Sequence, residues 1–284
     1  MKALSNLSHF FATHPLTRNN PVGAWGRFAY WQIRSRLQDE VIFPWIEGQK
    51  LVVTKGMTGA TGNIYAGLHE FYDMMLPLHF LRKGDLFLDV GANIGSYTVL
   101  AAGVCEATTW AFEPDPITAR HLRRNIAING LDGLVTVHEV ALGPSEAEVR
   151  FTIDQDTANH VTTGADFLFR TVRQKRLDDL VTDQQPSMIK MDVEGYEEKI
   201  LVGSQAVLSL PSLKLIELET VDPTIEKILY HHGFARCSYD PFTRKLQLTS
   251  ISRGSSNSAF VRDIDFVQAR LSGARPIVVL GRSI

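Results

Sequence analysis

From Asp85 onward, short apolar runs alternate with stretches in which apolar positions recur every three to four residues, the rhythm of strands feeding amphipathic helices. The runs predict strands at 86–90, 108–113, 135–140, 188–193 and 214–219, and the helical spacing predicts helices at 95–104, 116–129, 197–209 and 223–232. Between the third and fourth strands lies a longer excursion, 144–187, with two further strand-like runs at 149–153 and 170–176. The tail offers runs at 244–250 and 257–262, expected to pair as a closing hairpin around the Ser-rich segment 252–258. Such alternation marks an α/β fold with a parallel sheet. Right-handed crossovers then bring the strand C-termini to one rim, where ligands bind in open sheets.

The first eighty residues have a different texture. Trp25, Trp31 and Trp45 stand there among Phe10, Phe11, Phe28, Tyr30 and Phe43, whereas Trp110 is the lone tryptophan beyond them. Ile33 to Leu37 predicts a helix and Lys50 to Thr54 a short strand. The Gly/Thr-rich stretch Lys55 to Gly67 has little apolar periodicity and is expected to form an ordered loop. His69 to Arg82 returns to helical spacing, with Pro77 as a kink. The chain thus divides into an α-rich extension, 1–82, suited to a lid, a substrate cap or a dimer contact, and a main domain, 83–284.

Composition narrows the class. With 44% hydrophobic and 21% charged residues in 284, the chain has the make-up of a folded globular protein, and no window approaches the ~18 uninterrupted apolar residues of a membrane span. Lys and Arg total 29 against 31 Asp and Glu, so the net charge of -2 creates no field that would attract nucleic acid. Cys105 and Cys237 are too few for a disulfide framework or a zinc site. The N-terminus lacks the apolar core of a signal peptide, so a cytoplasmic protein with reduced thiols is expected.

Candidate chemistry begins where the first predicted strand ends, in Asp89-Val-Gly91-Ala-Asn93-Ile-Gly95-Ser-Tyr97. Glycines there let a ligand approach the backbone before a helix starts. A dinucleotide fingerprint would place Gly at the first, third and sixth positions, which here are Gly91, Asn93 and Ser96. Only the first fits. The Asp89 carboxylate is a poor neighbour for a pyrophosphate and a good one for an ammonium group, which points to S-adenosylmethionine, a zwitterion without phosphates. Glu113 ends the second strand 22 residues after Gly91, the spacing at which an acid accepts hydrogen bonds from ribose hydroxyls. Asp115, before Pro116, suits a helix cap instead. A nicotinamide-dependent oxidoreductase is the alternative enzyme, and a cofactor-binding but non-catalytic interaction protein the alternative from another class.

The segments DVGANIGSYTV, AFEPDP, NIAING, VALG, IKMDVEGYE and NSAFV, occurring in that order, resemble the FkbM family of S-adenosylmethionine-dependent methyltransferases over about residues 70–262. The resemblance implies a Rossmann-like class I sheet of strand order 3-2-1-4-5-7-6 with the last strand antiparallel. It also implies transfer of a methyl group to a hydroxyl oxygen of a sugar, glycan or natural product. It further implies a cofactor held by Asp89, Gly91, Asn93, Gly95, Tyr97, Glu113, Ala141 of VALG, and Asp192.

Methyl transfer from a sulfonium is an in-line displacement, so the acceptor hydroxyl must be aligned and must lose its proton. The fourth strand delivers Lys190-Met191-Asp192-Val193-Glu194, with Asp192 the leading catalytic position and Lys190 on the same face. Glu217 and Glu219 flank Leu218 on the fifth strand. Asp192 and Glu217 would either bind Mg²⁺, lowering the acceptor's pKa, or crowd each other until one becomes a proton acceptor. His160, beside Asn159 in the polar stretch 154–161, is a third catalytic candidate because imidazole titrates near neutrality. Asn63, Tyr65, Glu70, Asn159 and Glu194 are the candidates for contact with a small-molecule or glycan acceptor. The Trp-rich N-terminus would serve a homodimer.

Overall fold

The computed structural model describes residues 2–153, 159–162, 168–249 and 257–284. Its centre is an eight-stranded sheet among those residues, with neighbouring strands in the order Lys245–Leu248, Ala235–Asp240, Ser258–Val261, Leu215–Leu218, Pro186–Met191, Leu86–Val90, Thr108–Phe112 and Val135–His138. Strands from Leu215–Leu218 through to Val135–His138 are parallel, and Ser258–Val261 runs antiparallel to both its neighbours. This is the 3-2-1-4-5-7-6 order of a class I methyltransferase sheet, extended at one edge by Lys245–Leu248. Central strands are buried on both faces: every residue of Leu86–Val90 and of Leu215–Leu218 is buried, Asp89 and Glu217 included.

The tail departs from the expected hairpin. Lys245–Leu248 pairs not with Ser258–Val261 but with Ala235–Asp240, a strand the alternation pattern did not reveal, and Ser258–Val261 inserts between Ala235–Asp240 and Leu215–Leu218. Burial explains the choice: Phe260 and Val261 are buried and suit an interior position, whereas Lys245–Leu248 buries only Leu246 and suits an edge. Most of the Ser-rich turn, 250–256, lies outside the described residues. The expected helix over 197–209 breaks at Gly203 and Ser204 into Glu197–Val202 and Gln205–Ser209. The excursion forms a small sheet of Ala141–Leu142, Phe169–Lys175, Ala147–Thr152 and Val161–Thr162.

The first eighty residues form helices Lys2–Thr13, Pro21–Leu37, Thr58–Ala66 and Phe71–Phe80 and a hairpin of Glu40–Pro44 with Lys50–Thr54. Pro21 begins its helix, and Asn20 caps it by accepting the Gly23 N–H at 2.9 Å. Phe11, Trp31, Ile64 and Tyr65 build an aromatic core with Trp25 and Phe28 packed against it. The stretch expected as a loop, 55–67, contains the Thr58–Ala66 helix. Its composition hides it because Ala60, Asn63, Ile64 and Tyr65 are buried around most of its circumference, leaving no polar stripe. Gly62 is required there, since a Cβ would lie 2.2 Å from the His69 imidazole.

Candidate active site at the sheet rim

The turn after Leu86–Val90 is shaped by its neighbours. Gly91 has φ +78°, and a Cβ on it would lie 2.0 Å from the Asp192 carbonyl, so the two strand ends approach closely only because the residue is glycine. Asn93 also has positive φ, 51°, stabilised as its side-chain oxygen accepts the Ile94 N–H at 2.7 Å. Glu113 reaches over from the next strand and accepts N–H bonds from Asn93 at 3.0 Å and Asp115 at 2.9 Å. Burial pushes its carboxyl up to about 7, against the pull of those two bonds. Asp115 caps the helix Pro116–Ile128 and pairs with Arg170.

Two cavities meet at this rim. An apolar slot is lined by Phe112, Pro114, Val140, Ala141, Leu142, Phe151 and Tyr196, with Glu113, Asn93, Asn159 and Asp192 as polar residues. A wider cleft lies between the rim and the N-terminal extension, walled by Gly59, Ala60, Asn63, His69 and Glu70 on one side and by Asn93, Ser96, Tyr97, Lys190, Asp192, Glu194 and Glu219 on the other. Gly91, Asn93, Thr118, Asn159 and Asp192 line both.

Beneath the cleft, strand register sets a row of charge. Asp89, Lys190 and Glu217 lie side by side on three adjacent strands, all buried. Lys190, 2% exposed, donates to Asp192 at 2.7 Å and stands 4.2 Å from the centre of the Tyr97 ring. Burial alone would discharge it, but Asp192 and Asp89 outweigh burial and hold its ammonium above the ordinary lysine range. The same pairing overcomes burial at Asp192 and holds that carboxyl below its ordinary value. Glu219 hydrogen-bonds Asp192, and burial together with the Asp192 charge pushes it up to about 8. One proton therefore rests on Glu219 while Asp192 stays charged.

Of the residues singled out in the sequence, Gly91, Asn93, Glu113, Ala141, Asp192, Asn63, Glu70, Asn159 and Glu194 all face the joined cavities. Tyr97 lines the cleft rather than the slot, donating to Glu70 at 2.7 Å, and Asn63 bridges Ser96 at 3.2 Å and the His69 N–H at 2.8 Å. Gly95, at φ +93°, starts the helix behind the turn.

Four expectations are corrected. Asp89 is buried below the turn and accepts the Thr98 hydroxyl at 2.6 Å, so it braces the helix start instead of facing a ligand. Tyr65 turns into the aromatic core with Phe11 and Phe28, drawn there by its apolar ring. Glu217, 1% exposed, sits one pleat below the rim against Asn257 at 3.4 Å, and burial with Asp73 nearby pushes its carboxyl well up. It lines neither cavity, and it is not among the acids that gather with Asp192 there. His160 does not line the cleft either: its backbone pairs with Thr152, which fixes it to the small sheet, although its ring stands near Glu194, whose carboxyl burial and the Asp192 charge push up against the smaller pull of His160. The rest of its polar stretch, 154–158, lies outside the described residues.

The acids that meet are Asp192, Glu194 and Glu219, one oxygen of each lying within 4.8 Å of the others. Glu219 had a sequence signal, its place one pleat beyond Glu217, but the strand ends at Leu218, and that end frees Glu219 to reach Asp192.

The model of the methyltransferase FkbM domain matches residues 89–240, more than half of the chain. The chain belongs to the FkbM methyltransferase domain family. A hexuronic acid methyltransferase, AglP, of Haloferax volcanii is 28% identical over 152 residues, covering 52% of this chain and 62% of that protein. A ribosomal protein L11 methyltransferase of Chloroflexus aurantiacus is 29% identical over 143 residues, covering 48% of this chain and 42% of that protein. The FkbM-family chain therefore spans less than two-thirds of either relative. Among solved structures, a methyltransferase FkbM from Methylobacillus flagellatus KT aligns with a TM-score of 0.43 and 18% identity, over 72% of this chain and 55% of that one.

Proposed function

We propose that the protein is an S-adenosylmethionine-dependent O-methyltransferase acting on a sugar or glycan hydroxyl, with residues 1–82 forming the acceptor-side wall. The observation that carries this reading is the position of Asp192, charged and clamped by Lys190, where the apolar slot opens into the cleft. The slot fits the cofactor. Its apolar walls suit an adenine ring, and Glu113, although it already accepts two N–H bonds, keeps lone pairs for ribose hydroxyls. Asn93 and Ser96 stand where a dinucleotide turn needs glycines for the pyrophosphate to approach the backbone, which argues against a nicotinamide dinucleotide. Bound there, the cofactor supplies an electrophilic methyl carbon on a sulfonium.

Asp192 takes the proton of the acceptor hydroxyl; the methyl group for that oxygen would be supplied by the bound cofactor, which would leave as the neutral thioether. Lys190 keeps Asp192 charged before the step, and the proton on Glu219 keeps the three-acid cluster from repelling itself apart. Asn63, Glu70 and Asn159 offer donors and acceptors to a polyhydroxylated acceptor. A sugar acceptor is supported by the relative described as a hexuronic acid methyltransferase. Calorimetry with S-adenosylmethionine and S-adenosylhomocysteine tests the cofactor, and labelled methyl transfer to a panel of glycans, uronic acids and ribosomal protein tests the acceptor. Binding of neither cofactor form by folded protein overturns the proposal; transfer to protein alone overturns the acceptor class.

A further inference from the structure

The helix Pro21–Leu37 is apolar on two opposite sides. Its inner side carries Ala24, Phe28 and Trp31, packed in the aromatic core. Its outer side carries Val22, Gly26, Tyr30, Ile33 and Leu37, a row spaced by three or four residues that falls within an arc of roughly 80° at 3.6 residues per turn. Val22, Ile33 and Leu37 are 80%, 60% and 75% exposed, and Tyr30 39%. The outer side of a helix on a soluble domain is ordinarily polar, and a continuous apolar row marks an interaction surface.

Charge indicates the partner. Arg34 and Arg36 flank the row, each roughly 80° from its centre, and neither forms an ion pair with an acid among the described residues. Residues 1–38 contain Lys2, Arg18, Arg27, Arg34 and Arg36 and no Asp or Glu, so in a chain of net charge -2 this segment is +5 and the remainder -7. We propose that this helix seats in the plane of an anionic membrane surface, with Val22, Ile33 and Leu37 at the acyl boundary and the two arginines reaching lipid phosphates. Aliphatic side chains flanked by arginines are what such an interface accepts. A two-fold contact between copies would set arginines against arginines with no acid in the helix to answer them. Nucleic acid would leave the aliphatic row without a partner. The Thr58–Ala66 helix, which lines the cleft, packs against this same helix, so the membrane would lie one helix away from the acceptor wall.

The test is co-sedimentation of the full chain with phosphatidylcholine vesicles and with vesicles that also contain phosphatidylglycerol. Binding is expected to the mixed vesicles and to weaken with added salt. Ile33→Asp combined with Leu37→Asp should abolish it, and Arg36→Gln should weaken it about fivefold, all with cofactor affinity unchanged as the check on folding. The proposal is overturned by failure to bind mixed vesicles, or by binding that the double variant leaves intact. A solution dimer that the double variant dissociates, or nucleic-acid binding with the same variant sensitivity, would also overturn it.

Discussion

Glu113 meets two demands at once: it holds the turn after Leu86–Val90 by accepting two backbone N–H bonds, and it is buried with a carboxyl pushed up to about 7. A carboxyl whose folded pKa lies above its unfolded value binds its proton more tightly in the folded state, so stability falls as pH rises from the unfolded value through about 7. The loss above that range is about 3 kcal/mol at ~1.4 kcal/mol per pKa unit. Glu113→Gln should therefore flatten the pH dependence of Tm, while lowering Tm in mild acid because its NH2 replaces one of the two oxygens that accept backbone N–H bonds, measured by thermal melts across pH. Glu113→Ala should weaken S-adenosylmethionine binding by about 1–3 kcal/mol through lost ribose hydrogen bonds, and unchanged calorimetric affinity would remove Glu113 from the cofactor site. At the reacting end, Asp192→Asn should lower kcat by about 10²- to 10⁴-fold. The rate should rise as Glu219 deprotonates through about 8, because Asp192 then loses a hydrogen bond and gains basicity. Glu219→Gln should erase that limb of the pH–rate profile.

At the scale of elements, register organises the site. The parallel pairing that sets Lys190 beside both Asp89 and Glu217 leaves one cation to serve several acids below the rim. Lys190→Met keeps most of the volume and removes the charge, so it should destabilise the protein by about 3–5 kcal/mol, as expected when one partner of a buried pair is lost. Pairing it with Asp89→Asn should recover part of that loss in denaturant titrations, and no recovery would mean that the two residues do not share charge. Gly91→Ala, at positive φ and against the Asp192 carbonyl, should cost roughly 1–3 kcal/mol from strain alone and more from the clash.

Across the whole molecule, the extension and the sheet are bound together by polar side chains as well as apolar packing. The Asn125 side chain accepts the Val52 N–H at 2.6 Å and donates to the Ile94 carbonyl at 2.8 Å, tying the N-terminal hairpin to the turn after Leu86–Val90. Asn129 does the same for Lys50, accepting its N–H and donating to its carbonyl, each at 2.8 Å. Arg282 donates to the Pro15 carbonyl at 2.8 Å from the far end of the chain. With those links the tryptophans of the extension and the helices of the sheet should report one coincident unfolding transition by near- and far-ultraviolet circular dichroism. Asn125→Ala, which orphans a buried N–H and a buried carbonyl, should lower stability by about 2 kcal/mol or more and weaken cofactor binding through the turn.

The local pattern by itself determined the parallel core. The alternation from Leu86 to Leu218 and the acids at the strand ends are set by neighbours in the chain, because a strand buried on both faces is mostly apolar until it nears the rim, the row Asp89, Lys190 and Glu217 being its charged exception. The places of Asn93, Glu113 and Asp192 on the two cavities could be read from those strand ends. Tertiary structure alone decided matters that depend on what faces what. Glu217 and Glu219 have the same parity along the strand, yet one pleat of depth buries the first against Asn257 and leaves the second beside Asp192. Tyr65 was drawn to an aromatic core assembled from distant helices, and the Gly/Thr stretch became a helix because the surrounding apolar side chains bury it nearly all round. Ser258–Val261 took the sheet's interior rather than pairing with Lys245–Leu248 because Phe260 and Val261 are better buried there than Lys245–Leu248 would be. Spacing encodes which way a side chain points; the assembled fold decides what it meets, since burial and charge are sums over neighbours that sequence distance does not reveal.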